Sequence, residues 1–205
     1  MKIASAQINT TVGDFEGNSE KIVKAWQRAD EAGAGLVVFP ELALCGYPPR
    51  DLLFKPAFLE ANQTALARLA KRGGNSVAVV GFASRNDSGS GRPARNSAAV
   101  IEKGNVVAVR HKSLMPTYDV FDEDRYFEPA ESIEPVEIHG KKIGITICED
   151  IWNDDVYIHD RRYTRRPADE LALAGAELFL NLSASPWSLG KEHSRHILLL
   201  SLIHI

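Results

Sequence analysis

The stretch Gly144-Ile145-Thr146-Ile147-Cys148-Glu149-Asp150-Ile151-Trp152 is a hydrophobic strand that ends by placing one thiol directly before two acids. Neighbouring carboxylates disfavour a thiolate, because like charge raises a cysteine's pKa. Cys148 is therefore one of two things. It is an inert buried residue, as free cysteines often are, or a nucleophile whose adjacent acids are offset by a cation from elsewhere in the chain.

Working outward, similar short runs recur at Lys2–Asn9, Leu36–Phe39, Val77–Ala83, Ser97–Glu102, Val106–Lys112, Ile143–Cys148 and Leu178–Leu182. They are rich in Val and Ile and often too apolar to alternate, which is the pattern of strands covered on both faces. Helical periodicity separates some of them. In Ser19–Ala32 the residues Ile22, Val23, Trp26 and Ala29 share a stripe, with Asn18 or Ser19 as cap and Gly33 as terminator. Pro56–Lys71 repeats the pattern through Phe58, Leu59, Leu66 and Leu69, and Gly73-Gly74 stops it. Ala168–Ala174 and Lys191–Leu200 are further helices. The middle differs: Ser97–Glu102, a Lys103-Gly104-Asn105 turn and Val106–Lys112 read as a hairpin. His139-Gly140-Lys141 punctuates a second strand pair, Pro135–Ile138 and Lys142–Cys148. Helix-separated strands around a hairpin-rich centre predict an α/β sandwich with a mixed sheet. Arg85–Arg95 is a polar surface loop without the Lys-Ser/Thr ending of a phosphate loop, and no internal repeat is present.

At 205 residues the chain is long enough for one domain with a sizeable core. A net charge of −3 gives no electrostatic argument for nucleic acid or an anionic membrane as partner. No apolar run approaches the roughly 20 residues that span a bilayer, and the first residues lack the apolar core of a signal peptide. Two cysteines make neither a disulfide framework nor a zinc site. His193 and His196 stand at helical spacing but read as a helix surface, so no metal is expected. The default compartment is the cytoplasm.

Three stations carry chemistry-bearing residues at strand ends. Glu41, in Phe39-Pro40-Glu41-Leu42, follows an apolar strand, where loops of open α/β sheets carry function. Its apolar neighbours suit a desolvated general base, while a helix cap or salt-bridge partner is the plainer alternative. Lys112 ends a strand before a loop broken by Pro116; it is a solvated edge charge or the missing cation pointing inward. Cys148 is the third. Cys45 lies in a turn with no cation near in sequence and reads as packing. If the three strands adjoin in one sheet, Glu41, Lys112 and Cys148 converge on one crevice, and Lys112 offsets Glu149 and Asp150.

These residues resemble a known family. Phe-Pro-Glu-Leu at 39–42, His-Lys-Ser-Leu-Met-Pro at 111–116 and Cys-Glu-Asp-Ile-Trp at 148–152 are similar to the three motifs of the nitrilase (carbon–nitrogen hydrolase) superfamily, in its chain order. The stretches 46–53 and 118–123 look more narrowly like the glutaminase domains of glutamine-dependent NAD synthetases, and the likeness runs from residue 1 to about 196. The resemblance implies an α-β-β-α sandwich and hydrolysis of glutamine to glutamate and ammonia through a Cys148 thioester. Glu41 is implied as general base and acid, and Lys112 as stabiliser of thiolate and oxyanion. It further implies Tyr118, Ser185 and Lys191 as glutamine ligands, with Tyr47, Phe121 and Glu123 in support, Glu123 holding Lys112. No cofactor is implied for the amidase step; ATP, Mg and deamido-NAD belong to a synthetase domain, the implied partner, and intact members are homo-oligomers.

Two departures stand out. The segment 153–169, with Arg161-Arg162 and Arg165-Arg166, is longer than in short family members; with acids on both sides it reads as a solvated or interface loop rather than a nucleic-acid patch. The chain also carries no synthetase domain, and residues 201–205 do not resemble the family. The expectation is one partial domain, 1–205, truncated in its last strands, with an exposed sheet edge and poor solubility. A stand-alone amidase on another small amide, and an inactive scaffold with Cys148 as packing, are the competing readings.

Overall fold

A computed structural model describes residues 1–153 and 163–202. Eight strands and four helices follow one another as β1 (Ile3–Ser5), α1 (Phe15–Glu31), β2 (Leu36–Val38), α2 (Pro56–Arg72), β3 (Val77–Arg85), β4 (Ala94–Glu102), β5 (Asn105–His111), β6 (Val136–Ile138), β7 (Lys141–Ile147), α3 (Pro167–Leu173), β8 (Leu178–Leu182) and α4 (Lys191–Leu202) among the described residues. The strands form two sheets. The larger is ordered β1-β2-β3-β4-β5 and the smaller β6-β7-β8. β1, β2 and β3 are parallel, β4 reverses, and β5 therefore runs with β2 and β3. In the small sheet β7 and β8 are parallel.

The sheets pack face to face. Leu36, Val77, Val79, Ala98 and Val100 meet Ile143, Ile145, Ile147, Leu180 and Leu182 in one buried cluster. Alternate residues of the same strands, Val37, Ala78, Val80, Ala99 and Ile101, face outward and are covered by Ile22, Trp26 and Leu69 of α1 and α2. Helix α3 packs on β7 from the other side. The result is the expected α-β-β-α sandwich, and it explains why β3 and β4 show no alternation: both faces are buried.

Local chemistry sets the boundaries. Helix α1 begins earlier than expected because Asp14 is its cap, its Oδ1 accepting from Gly17 N at 2.9 Å. Asn18 is instead buried, bonded to both backbone groups of Thr11 and to Leu44 O. The hairpin turns at Lys103 and Gly104, both with positive φ (48° and 78°), a two-residue turn whose twist matches the strands. β1 is shorter than Lys2–Asn9, since it pairs only with the three residues of β2. β3 and β4 are longer than expected because each pairs with the other out to Arg85 and Ala94. The loop is thus confined to 86–93, and Arg95 is a buried strand residue, its guanidinium held by Pro129 O (2.8 Å) and Glu131 (2.6 Å). Among the described residues no helix is long and apolar enough to cross a membrane.

Candidate active site

The three stations do meet, but not within one sheet as the strand-end reading supposed. Glu41 and Lys112 lie just past β2 and β5 of the large sheet, and Cys148 follows β7 of the small one. The site lies across the sandwich, where the C-terminal ends of parallel strands from both sheets share a rim.

Glu41 is buried and holds three bonds. Its Oε1 accepts from Lys112 Nζ at 2.9 Å and Asn96 Nδ2 at 2.8 Å, and its Oε2 from Ala184 N at 3.0 Å. Lys112 is fully buried and also donates to Glu123 Oε2 at 2.6 Å. Burial alone pushes an ammonium toward the neutral form; here Glu41 and Glu123 outweigh it and hold Lys112 charged, well above the ordinary lysine range. Burial pushes the Glu123 carboxyl up to about 7, against the pull of Lys112. The Tyr47 hydroxyl donates to Glu123 Oε1 at 3.1 Å.

Cys148 opens a single short turn, Cys148–Ile151, with φ +45°. For a residue with a Cβ this is a sparsely populated conformation, held only because its surroundings over-determine it. Its Sγ accepts a hydrogen bond from Ser183 Oγ at 3.6 Å. Burial and the Glu41 carboxylate raise this thiol above the ordinary range, and Lys112 opposes them. Cys45, in contrast, lies in an apolar cluster with Leu42, Leu53 and Leu59, its thiol pushed up to about 12 by burial.

Lys112 offsets Asp150 in part, as the sequence reading expected, lowering its carboxyl against the effect of burial. Asp150 accepts three backbone N–H groups, from Ile147 (2.9 Å), Ser113 (2.8 Å) and Leu114 (2.9 Å). It thereby ties the exit of β7 to the exit of β5, and burial raises its pKa to about 6. Glu149 is bonded by the hydroxyls of Tyr118 (2.8 Å) and Tyr163 (3.0 Å). Hydrogen-bond donors therefore act on this pair alongside the Lys112 charge.

Of the residues implied as ligands, Tyr118 sits against Glu149, with Phe121 edge-on to its ring at 5.7 Å. Phe121, Tyr47 and Glu123 line a small cavity of about 70 Å³. Ser185 and Lys191 line a separate cleft of about 420 Å³ with Trp187 and Arg195. Lys191 Nζ stands 6.0 Å from the Trp152 ring centroid, beside the segment that follows the nucleophile. Sequence reasoning missed Asn96, Ser183 and the Ala184 N–H. Ser183 had a usable signal: it follows β8 as Cys148 follows β7. Asn96 had none, because a polar residue at a strand's start looks like a loop. Arg165 and Arg166 pair with Glu170 (2.7 Å) and Asp169 (2.9 Å), which leaves no basic patch at these two; Arg161 and Arg162 lie outside the described residues. His193 and His196 are exposed on α4, and no group of three or more metal-ligating side chains occurs among the described residues.

A two-sheet sandwich with a buried carboxylate–ammonium pair facing a strained cysteine defines a class, and the sequence comparison agrees. Residues 2–199 match the carbon–nitrogen hydrolase family, and the chain belongs to it. Within that family it is 45% identical over 201 residues to the glutamine-dependent NAD(+) synthetase of Synechocystis sp., spanning 96% of this chain and 36% of that protein. The enzyme of the same name from Thermotoga maritima is 41% identical over 194 residues, 93% of this chain and 31% of that one. The chain spans about a third of the length of these curated relatives. Among solved structures, the glutamine-dependent NAD+ synthetase from Acinetobacter baumannii superposes with a TM-score of 0.85 at 34% identity, over 98% of this chain and 35% of that one. An amidase from Nesterenkonia sp. shares the fold, with a TM-score of 0.76 at 23% identity, over 98% and 71% of the two chains.

Proposed function

We propose that this chain hydrolyses the side-chain amide of glutamine to glutamate and ammonia, as the ammonia-supplying part of a glutamine-dependent NAD synthetase. What carries the reading is the buried Glu41–Lys112–Glu123 arrangement, at the exits of the large sheet and in the turn at 123–125, facing Cys148 at the exit of the small one. Two acids keep the ammonium charged, and the Glu41 carboxylate also acts on the Cys148 thiol electrostatically.

The chemistry follows from the bonds. Glu41 takes the Cys148 proton, and the thiolate attacks the amide carbon. Lys112, which offers donors and no competing acceptor, stabilises the oxyanion together with a backbone N–H of the turn after Cys148. The carbon–nitrogen bond then breaks as Glu41 returns its proton to the leaving nitrogen, giving ammonia and a thioester. Glu41 next draws a proton from water, whose oxygen attacks the thioester and releases glutamate, and the thiolate is reprotonated. Lys191 suits the substrate α-carboxylate, with Tyr118 and Ser185 as polar contacts. No cofactor enters these steps; ATP, Mg and deamido-NAD are the business of the synthetase domain that is the proposed partner.

Glutamate and ammonia release from glutamine, set against C148A as blank, tests the proposal. A glutamine-like electrophile should add one adduct to the intact mass, mapped to Cys148. Faster turnover of other ω-amides or N-carbamoyl compounds would move the substrate to another small amide. Equal labelling of Cys45 and Cys148 would leave a scaffold.

A further inference from the structure

The segment just beyond β8 touches both reacting partners. Ala184 N donates to Glu41 Oε2, and one residue earlier Ser183 Oγ donates to Cys148 Sγ at 3.6 Å. The Ser183 hydroxyl is itself oriented, because its oxygen accepts from Ser185 N at 3.3 Å, which directs its hydrogen elsewhere. The strand behind it is anchored: Asn181 Nδ2 bonds Thr146 Oγ1 (3.1 Å) and Cys148 O (3.4 Å), locking the exits of β7 and β8 together. Lys112 is spoken for by two carboxylates, and no hydrogen bond joins its Nζ to Sγ among the described residues. The direct donor to the sulfur is Ser183.

We propose that Ser183 is a catalytic residue of this site, whose hydroxyl holds Sγ in place and stabilises it as the thiolate when its proton passes to Glu41. The step balances within the chain: the S–H bond breaks, an O–H bond forms on Glu41, and the Ser183 O–H remains intact while its hydrogen bond to sulfur strengthens, since bonds to charged acceptors are the stronger ones. The assignment rests on the reading of Cys148 as nucleophile, not on glutamine as substrate.

The test is the rate of Cys148 alkylation by iodoacetamide on the full chain from pH 6 to 10, with buried Cys45 as internal reference and the modified peptide mapped by mass. S183A should slow alkylation at pH 7.5 by about 10- to 100-fold, the size of one hydrogen bond to a charged group, and move the midpoint of the pH profile upward. S183T, which keeps the hydroxyl, should restore both. A wild-type rate and midpoint in S183A, or an S183T that behaves like S183A, overturns the proposal. Ser183-dependent alkylation in a chain that fails to turn over glutamine upholds it and removes only the proposed substrate.

Discussion

Lys112 holds the site together because it is the counter-charge for two buried acids at once. Removing it leaves Glu41 and Glu123 buried without a cation, a defect worth about 3–5 kcal/mol. Lys112→Met is therefore expected to lower the melting temperature by roughly 6–20 °C for a chain of this size, and turnover by at least the 10²–10³ of a lost oxyanion donor; calorimetry and a glutaminase assay check both. Glu123 gives a signed pH effect. Its carboxyl titrates near 7 in the folded chain against an ordinary 4.5, so the folded state binds more protons in that window. Stability from this group is fully present below about 4.5 and is lost as pH rises through 7. Glu123→Gln cannot lose a proton. The stability of wild type relative to this variant should fall by about 1–3 kcal/mol between pH 5 and 8 in denaturant titrations, and a constant difference would refute the assignment.

Turns and strand exits decide whether those side chains meet. Asp150 joins two of them, with one oxygen on Ser113 and Leu114 and the other on Ile147. An asparagine can supply only one of those acceptors and would oppose an N–H with its own NH₂. Asp150→Asn is expected to cost about 1–3 kcal/mol in stability and on the order of 10² in kcat, the penalty for a displacement of about 1 Å between reacting groups. Retained turnover at reduced stability would confine Asp150 to folding alone. The β4–β5 hairpin is a contrasting element, remote from the site. A Cβ at Gly104 would meet Ala70 O at 3.8 Å and Lys71 Cδ at 4.0 Å, both ordinary contacts, so the cost of Gly104→Ala is the left-handed backbone alone. Urea unfolding should register about 1 kcal/mol, with unchanged kcat. The hairpin was legible in Lys103-Gly104 because turn chemistry is local. The cap of α1 was misread for a related reason: Asp14, Asn18 and Ser19 all look like caps, and only the packing of the loop after β1 decides that Asn18 turns inward.

The sandwich as a whole is uneven. Its large sheet is covered by two long helices, whereas among the described residues the short helix α3 packs on the three-stranded sheet. Leu173, Trp187 and Leu189 are 89%, 81% and 93% exposed. Exposed apolar groups of this size favour association. Replacing Trp187 and Leu189 with Ser should raise the concentration at which light scattering sets in, while leaving the melting temperature within a degree or two. Unchanged scattering would mean that association runs through another face.

What the sequence by itself determined is which chemistry-bearing side chains stand at strand ends, and the layer pattern. Glu41, Lys112 and Cys148 each end an apolar run, and apolar runs covered on both faces imply a sandwich, because hydrophobic periodicity and strand-end position are written locally. Only the tertiary structure decided who neutralises whom. Lys112 serves Glu41 and Glu123, backbone N–H groups serve Asp150, and Ser183 serves the sulfur, because these contacts join strand exits far apart in the chain, and Ala184 N reaches Glu41 across the two sheets from 143 positions away. A hydrogen bond of about 3 Å is fixed by how the sheets stack and where their exits align, and no property of either partner's immediate neighbours encodes that distance.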